Sequence, residues 1–304
     1  MITNDTDTYK RQAALATDTM FYIAKEECFA LKGGTAINFF IRQDLPRLSV
    51  DIDLDYIGFE PKAEATVKIN EALNRIVKAI RADGKKADIK KGKDDIQKIA
   101  RYERGMEIKV EINYITRGFV YKPELMRISK KAEEEFGFAK MQVMTLPEIY
   151  GGKLHAALKR QHPRDLFDIK ILFENEGITE DIKKCFIAAM FSSKGAPYEL
   201  LNPNIHNQQD LLTSEFSGMT DIEFTYADHE KALQKLINTL HKSFTKADKD
   251  YILGFFSLQP KWDLVDIPNI QKLPAVQWKI KNLEKMSREK FEENLRRTKE
   301  ALAR

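Results

Sequence analysis

Two stretches decide the fold: Lys32-Gly33-Gly34-Thr35-Ala36 and, after a short connection, Arg47-Leu48-Ser49-Val50-Asp51-Ile52-Asp53-Leu54-Asp55. In the second, Ser49, Asp51, Asp53 and Asp55 alternate with Val50, Ile52 and Leu54, the period of two that marks a half-buried strand. Its carboxylates therefore share one face. In the first, the apolar run Phe29-Ala30-Leu31 leads into a glycine turn and then a helical stretch from about Ala36 to Ile41.

Aspartate is depleted from strands, so three at alternate positions call for a reason. Neighbouring carboxylates repel unless a cation joins them. Asp51 and Asp53 on one face form an all-oxygen seat for one or two hard divalent cations. The bland alternative is a solvated strand face. An EF-hand loop is the weaker rival, because it needs Gly where Tyr56 stands and Glu where Lys62 stands. Gly33-Gly34-Thr35 before a helix offers unhindered backbone N–H groups to phosphate oxygens. Taken alone, it fits a tight turn with positive φ equally well.

Working outward, Tyr9 to Glu27 and Thr66 to Ala82 read as helices, and Asp88 to Thr116 as two or three strands. Met106 to Ile112 alternates, which puts Glu111 on a face with Glu107 and Lys109, either as a third carboxylate of the site or as an exposed strand residue. Thr145-Leu146-Pro147-Glu148 has the form of a capping box opening a helix to about Gln161. Lys153 shares a face of that helix with Ile149, Ala156 and Arg160. The basic run to Arg164 suits phosphate or RNA, or else a solvated helix face. Pro163 breaks the helix, and Asp165 reads as the N-cap of the next, with Asp168 in its first turn. Beyond Gly177 only helical patterns follow, ending in one long helix from about Val276 to Ala303. The expected class is α+β: a mixed sheet with flanking helices over residues 1–175, then a mainly helical domain over 176–304.

Composition narrows the alternatives. A chain of 304 residues, 43% of them hydrophobic, has core enough for two domains. A net charge of +4 does not mark a nucleic-acid binder by itself, although Lys78 to Arg101 is rich in Lys and Arg and suits the rim of a polyanion site. Cys28 and Cys185 supply neither a disulfide framework nor a metal cage. The polar Met1 to Asp7 segment has no signal-peptide pattern, and no apolar run is long enough to cross a bilayer, so a cytoplasmic protein is expected. The five histidines lack metal-ligand spacing, and no P-loop, G-x-G-x-x-G or G-x-S-x-G motif occurs.

Taken in order, Lys32-Gly33-Gly34-Thr35-Ala36, Arg47 to Leu54, Lys153 and Arg164-Asp165-Leu166-Phe167-Asp168 resemble the AbiEii/AbiGii toxin family of the nucleotidyltransferase superfamily. The likeness covers mainly residues 25 to 175, with Trp278-Lys279-Ile280-Lys281-Asn282-Leu283 similar to the family's C-terminal region. It implies a magnesium-dependent transferase, with two ions, acting on an NTP. Gly33, Gly34 and Thr35, together with Arg47 and Ser49, would bind the nucleotide. Asp51 and Asp53 would hold Mg²⁺, Lys153 would bind the triphosphate, and Asp165 would complete the site, with Asp168 beside it. The resemblance also implies a toxin with a cognate antitoxin, and tRNA as an acceptor in some members. Two departures stand out. The turn is Gly-Gly-Thr rather than Gly-Ser, and the third carboxylate is Glu111 where many transferases have Asp.

Two rival readings follow from the same residues. A non-catalytic nucleotide- or RNA-binding module could use this fold, although binding alone does not require a paired-carboxylate metal seat. A nucleotide-sugar glycosyltransferase also uses Asp-x-Asp, but would need a Rossmann-like series of strands and helices ahead of it.

Overall fold

The computed structural model describes residues 6–92 and 97–304. The Met1 to Asp5 part of the amino-terminal reading and residues 93–96 of the basic stretch lie outside them. The chain forms two compact units, one of Met1–Ile149 with Thr213–Glu223, the other of Tyr150–Leu212 with Phe224–Arg304. The division falls inside a helix.

The first unit is built on a seven-stranded mixed sheet of order β3-β4-β5-β2-β1-β7-β6. Its strands are β1 (Phe29–Lys32), β2 (Ile52–Tyr56), β3 (Lys86–Lys91), β4 (Gln97–Glu103), β5 (Met106–Asn113), β6 (Glu124–Arg127) and β7 (Lys140–Val143). Helices α1 (Thr6–Ile23), α2 (Gly33–Ala36), α3 (Lys62–Ala82) and α4 (Lys130–Phe136) flank it, and α5 (Leu146–Arg160) begins in it. β2 lies at the centre, antiparallel to β1 and parallel to β5. Its burial alternates as the sequence demands: Ile52, Leu54 and Tyr56 are buried, while Asp53 and Asp55 are half-buried. Asp51 stands one residue ahead of the strand.

β6, α4 and β7 are too short to show a period in sequence. Ser129 caps α4 by accepting from the Ala132 N–H, and Gly137 ends it at φ 96°. Ile37–Ile41 continues α2 as a π-helical turn rather than an α-helix.

The second unit is helical: the rest of α5, then α6 (Pro163–Glu174), α7 (Glu180–Phe191), α8 (Pro197–Leu201), α9 (Gln209–Leu211), α10 (Tyr226–Ser243), α11 (Lys246–Phe256), α12 (Pro274–Glu284) and α13 (Arg288–Leu302). Its core includes Phe191 stacked on Phe255 at 3.8 Å between ring centroids, and a buried Lys183–Asp248 ion pair at 2.7 Å. Asp248 also closes a capping box with Thr245 at the start of α11.

Three local expectations are corrected. The single long C-terminal helix is two, α12 and α13, because Ser287 opens a new helix at φ −60°, ψ 144°. The capping box at Thr145 does not form: Thr145 Oγ1 is buried without a hydrogen-bond partner, and Glu148 accepts instead from the Val120 and Tyr121 N–H groups. The N-cap of α6 is His162, whose Nδ1 accepts from Arg164 N at 3.1 Å; Pro163 takes the first helical position, where a missing N–H costs nothing.

Candidate active site

In the first unit the two diagnostic stretches fold against each other. Gly33 has φ +71°, and a Cβ there would lie 2.6 Å from Asp53 Oδ2. A Cβ on Gly34 would lie 2.5 Å from Arg47 Nη2 and 3.1 Å from Ser49 Oγ. The two glycines are thus needed for different reasons: a left-handed backbone and a close carboxylate at Gly33, room for a guanidinium at Gly34. Thr35 ties the turn to the strand. Its buried hydroxyl donates to the Asp51 carbonyl at 2.5 Å and lies 2.9 Å from Ser49 Oγ.

Arg47 and Ser49 are buried, at 3% and 6% exposure, in a loop that sequence alone leaves unsupported. The support comes from the returning segment Thr213–Glu223. There Met219 O accepts from Leu48 N at 2.7 Å, and Thr220 Oγ1 donates to Pro46 O at 2.7 Å. No local signal in either segment reveals this.

The ladder registers Asp53 with Lys32 on one side and with Glu111 on the other. Glu111 is half-exposed, and its carboxylate pairs with Lys98 at 3.0 Å. Asp55, third in the alternating series, pairs with the Lys32 ammonium. Burial raises the Asp55 carboxyl above its ordinary range, and the Lys32 charge opposes that rise. Glu148, half-buried near these two groups, is pushed up to about 7, chiefly by loss of solvent around its carboxyl and against the pull of its two N–H donors. Sequence reading missed Glu148 here because its capping signature offered a local explanation.

Among the described residues no three of His, Cys, Asp and Glu gather as a ready-made metal cage. A magnesium-type seat does not require one, since that ion keeps several waters and is held by one or two carboxylates together with substrate phosphates. Asp51 and Asp53, half-buried oxygen donors two residues apart, fit that chemistry.

In the second unit, α5 and α6 bring Lys153, Asp165 and Asp168 together. Lys153 Nζ lies 2.9 Å from Asp165 Oδ1 and 3.0 Å from Asp168 Oδ2, with all three side chains buried. Arg160 adds a contact at 2.5 Å to Asp165 Oδ2. Burial alone would raise the Asp165 carboxyl, but Lys153 and Arg160 outweigh it and hold the group far below the usual carboxylate range. His155, one turn before Lys159, is kept neutral by burial, which lowers it to about 4.

The family model described as nucleotidyl transferase AbiEii toxin, type IV toxin–antitoxin system, matches residues 18–282. Among solved structures, the chain is similar to MenT4, the nucleotidyltransferase toxin Rv2826c from Mycobacterium tuberculosis H37Rv, with a TM-score of 0.60 and 14% identity over 90% of this chain and 93% of that one. It also aligns with JHP933 from Helicobacter pylori at a TM-score of 0.44 and 18% identity, over 75% of this chain and 94% of that one. No curated protein sequence matches it. At 14% identity the likeness to MenT4 is one of fold.

Proposed function

Because the chain belongs to the nucleotidyl transferase AbiEii toxin family and is a nucleotidyltransferase, we propose that it transfers NMP from an NTP to an acceptor hydroxyl, with Asp51 and Asp53 as the seat of one or two Mg²⁺ ions. The observation that carries this reading is the packing of Asp53 Oδ2 against the Cβ-less Gly33, which ties the glycine turn to the carboxylate strand. Divalent cations bound there would neutralise charge on the triphosphate and favour in-line attack at the α-phosphorus.

The chain's own groups have separable tasks. Gly33, Gly34 and Thr35 leave room for phosphate oxygens beside the carboxylates, and Arg47 and Ser49 line the same turn. Glu111 is assigned the proton of the attacking hydroxyl once Lys98 releases it. Lys153 is assigned to the triphosphate, with Asp165 and Asp168 fixing its position, and on this reading residues 1–175 make up the catalytic part. No helix among the described residues is long and apolar enough to cross a membrane. A cytoplasmic toxin held in check by a cognate antitoxin is the setting we propose.

A polyanionic acceptor, tRNA among them, is supported by a cleft of about 760 Å³ between α3 and β3, lined by Lys78, Arg81 and Lys90 with Asn74 and Asp88. The test is incubation of the purified protein with each α-labelled NTP, Mg²⁺ and total tRNA, beside Asp51→Ala and Asp53→Ala. Label on RNA that disappears in both variants, with circular dichroism unchanged, is the expected result. Undiminished transfer by both variants overturns the assignment. Metal-dependent nucleotide binding without pyrophosphate release would favour the non-catalytic module instead.

A further inference from the structure

In the Trp278-Lys279 step of α12, polarity predicts the tryptophan inside and the lysine outside. The structure has them the other way round: Trp278 is 43% exposed, while Lys279 is 4% exposed and lies on the buried stripe of the helix with Val276 and Leu283. A local inversion of this kind is where a functional group is expected. A buried lysine is normally paired with an acid. The Lys279 ammonium instead donates to two backbone carbonyls, Lys194 O at 3.2 Å and Gly195 O at 2.7 Å, and stands 5.5 Å from the centre of the Phe256 ring. Carbonyl dipoles and a ring face solvate an ammonium without neutralising it, and two carbonyls leave one of its three N–H donors over. The Glu199 carboxylate, packed over Gly195, attracts the charge from a distance, yet burial outweighs it and pulls the Lys279 amine down to about 8.

Lys279 also lines a cavity of about 140 Å³ in the second unit, enclosed by residues 194–199, α12 and α13. A cavity of about 150 Å³ admits a benzene-sized molecule. Phe256, Phe291 and Leu295 give this one apolar walls, and Lys194, Lys279 and Lys290 set three cationic residues around it against one acid, Glu199. Asn294 on the same wall spends an amide N–H on a poor acceptor, Met286 Sδ, at 3.5 Å.

We propose that this cavity binds a small organic carboxylate, with its anionic head on the Lys279 ammonium and its apolar body between Phe256, Phe291 and Leu295. The bound anion supplies the neutralising charge that the chain itself withholds from Lys279, and it takes the N–H that the two carbonyls leave over. A lysine that merely tied residues 194 and 195 to α12 would need neither an excess of cations nor an apolar chamber beside it.

The test is binding of benzoate, and of its uncharged analogue benzamide, to the purified full chain, titrated by saturation-transfer NMR. Benzoate is expected to bind with a Kd of about 1 mM or tighter. Benzamide should bind about tenfold more weakly, the scale of one charge-assisted hydrogen bond. Lys279→Met, with circular dichroism unchanged, is expected to abolish the difference between the two probes. Leu295→Trp fills the apolar end while leaving the lysine in place, and should weaken benzoate about tenfold or more; it keeps the test decisive if Lys279→Met does not fold. Absence of saturable benzoate binding up to about 20 mM overturns the proposal, as do equal affinities of the unaltered chain for the two probes. So does benzoate binding that Leu295→Trp leaves unchanged, which would place the probe elsewhere, or a folded Lys279→Met variant that still prefers benzoate.

Discussion

Placing a methyl group on each of the two adjacent glycines should have unequal consequences. At Gly33, alanine must hold φ +71°, which costs an L-residue about 1–2 kcal/mol. Its Cβ must also displace the Asp53 carboxylate, since 2.6 Å is well inside van der Waals contact. The carboxylate gives way by roughly 1 Å, a misplacement that at a reacting centre is worth about 100-fold in rate. Gly34 has no positive φ, and the atom its Cβ meets most closely is Nη2 at the end of the Arg47 side chain. Gly34→Ala should therefore cost less stability than Gly33→Ala, since it displaces a side chain without adding backbone strain, and act on nucleotide affinity through Arg47. Urea denaturation followed by circular dichroism gives the stabilities, and α-labelled NMP transfer under saturating NTP gives the rates. If Gly33→Ala is no less stable than Gly34→Ala, or retains most of its transfer rate, the account of why this turn is glycine is wrong.

Two further outcomes are expected. Lys153→Met leaves Asp165 and Asp168 buried without the ammonium between them, so it should destabilise the chain by about 3–5 kcal/mol in urea, with Arg160→Met costing clearly less; a loss under about 1 kcal/mol for Lys153→Met would show that the cluster is not the paired, buried unit described. Glu148 keeps its proton up to about 7 when folded but loses it near 4.5 when unfolded, so this group is a stability cost that grows as pH rises through that window, on the order of 3 kcal/mol by its upper end. Glu148→Gln keeps an oxygen for the Val120 and Tyr121 N–H groups and removes the charge, so its stability relative to the unaltered protein should rise from pH 4.5 to 7; a difference that stays flat across the window refutes the assignment.

Much of the molecule was legible in the sequence because it is written in short-range periods. The alternation of Asp51 to Asp55 announced β2 and its carboxylate face, and the alternation from Met106 announced β5 with Glu111 outward. Pro163 marked the break between α5 and α6, and the lack of strand patterns after Gly177 marked the helical unit. Where a local pattern admitted a local partner, it misled: Glu148 offered itself as a capping residue, and Asp165 as an N-cap. Each is drawn instead to groups the chain brings near from elsewhere, Glu148 to the N–H groups of Val120 and Tyr121, Asp165 to Lys153 on another helix.

The sequence by itself determined the chemistry on offer: hard oxygen donors on one strand face, a backbone free of side chains beside them, and a family to which that order of motifs belongs. Only the tertiary structure decided how those groups are shared out. It put Lys32 in register with Asp53 yet paired it with Asp55, seated Glu111 beside Asp53 but joined it to Lys98, and brought Thr213–Glu223 back to support the Arg47 loop. The physical reason is one of range. Side-chain alternation depends on the chain's immediate neighbours, whereas the partner of a charge depends on which strands the sheet sets side by side, and a sheet of order β3-β4-β5-β2-β1-β7-β6 joins residues that no spacing along the chain relates.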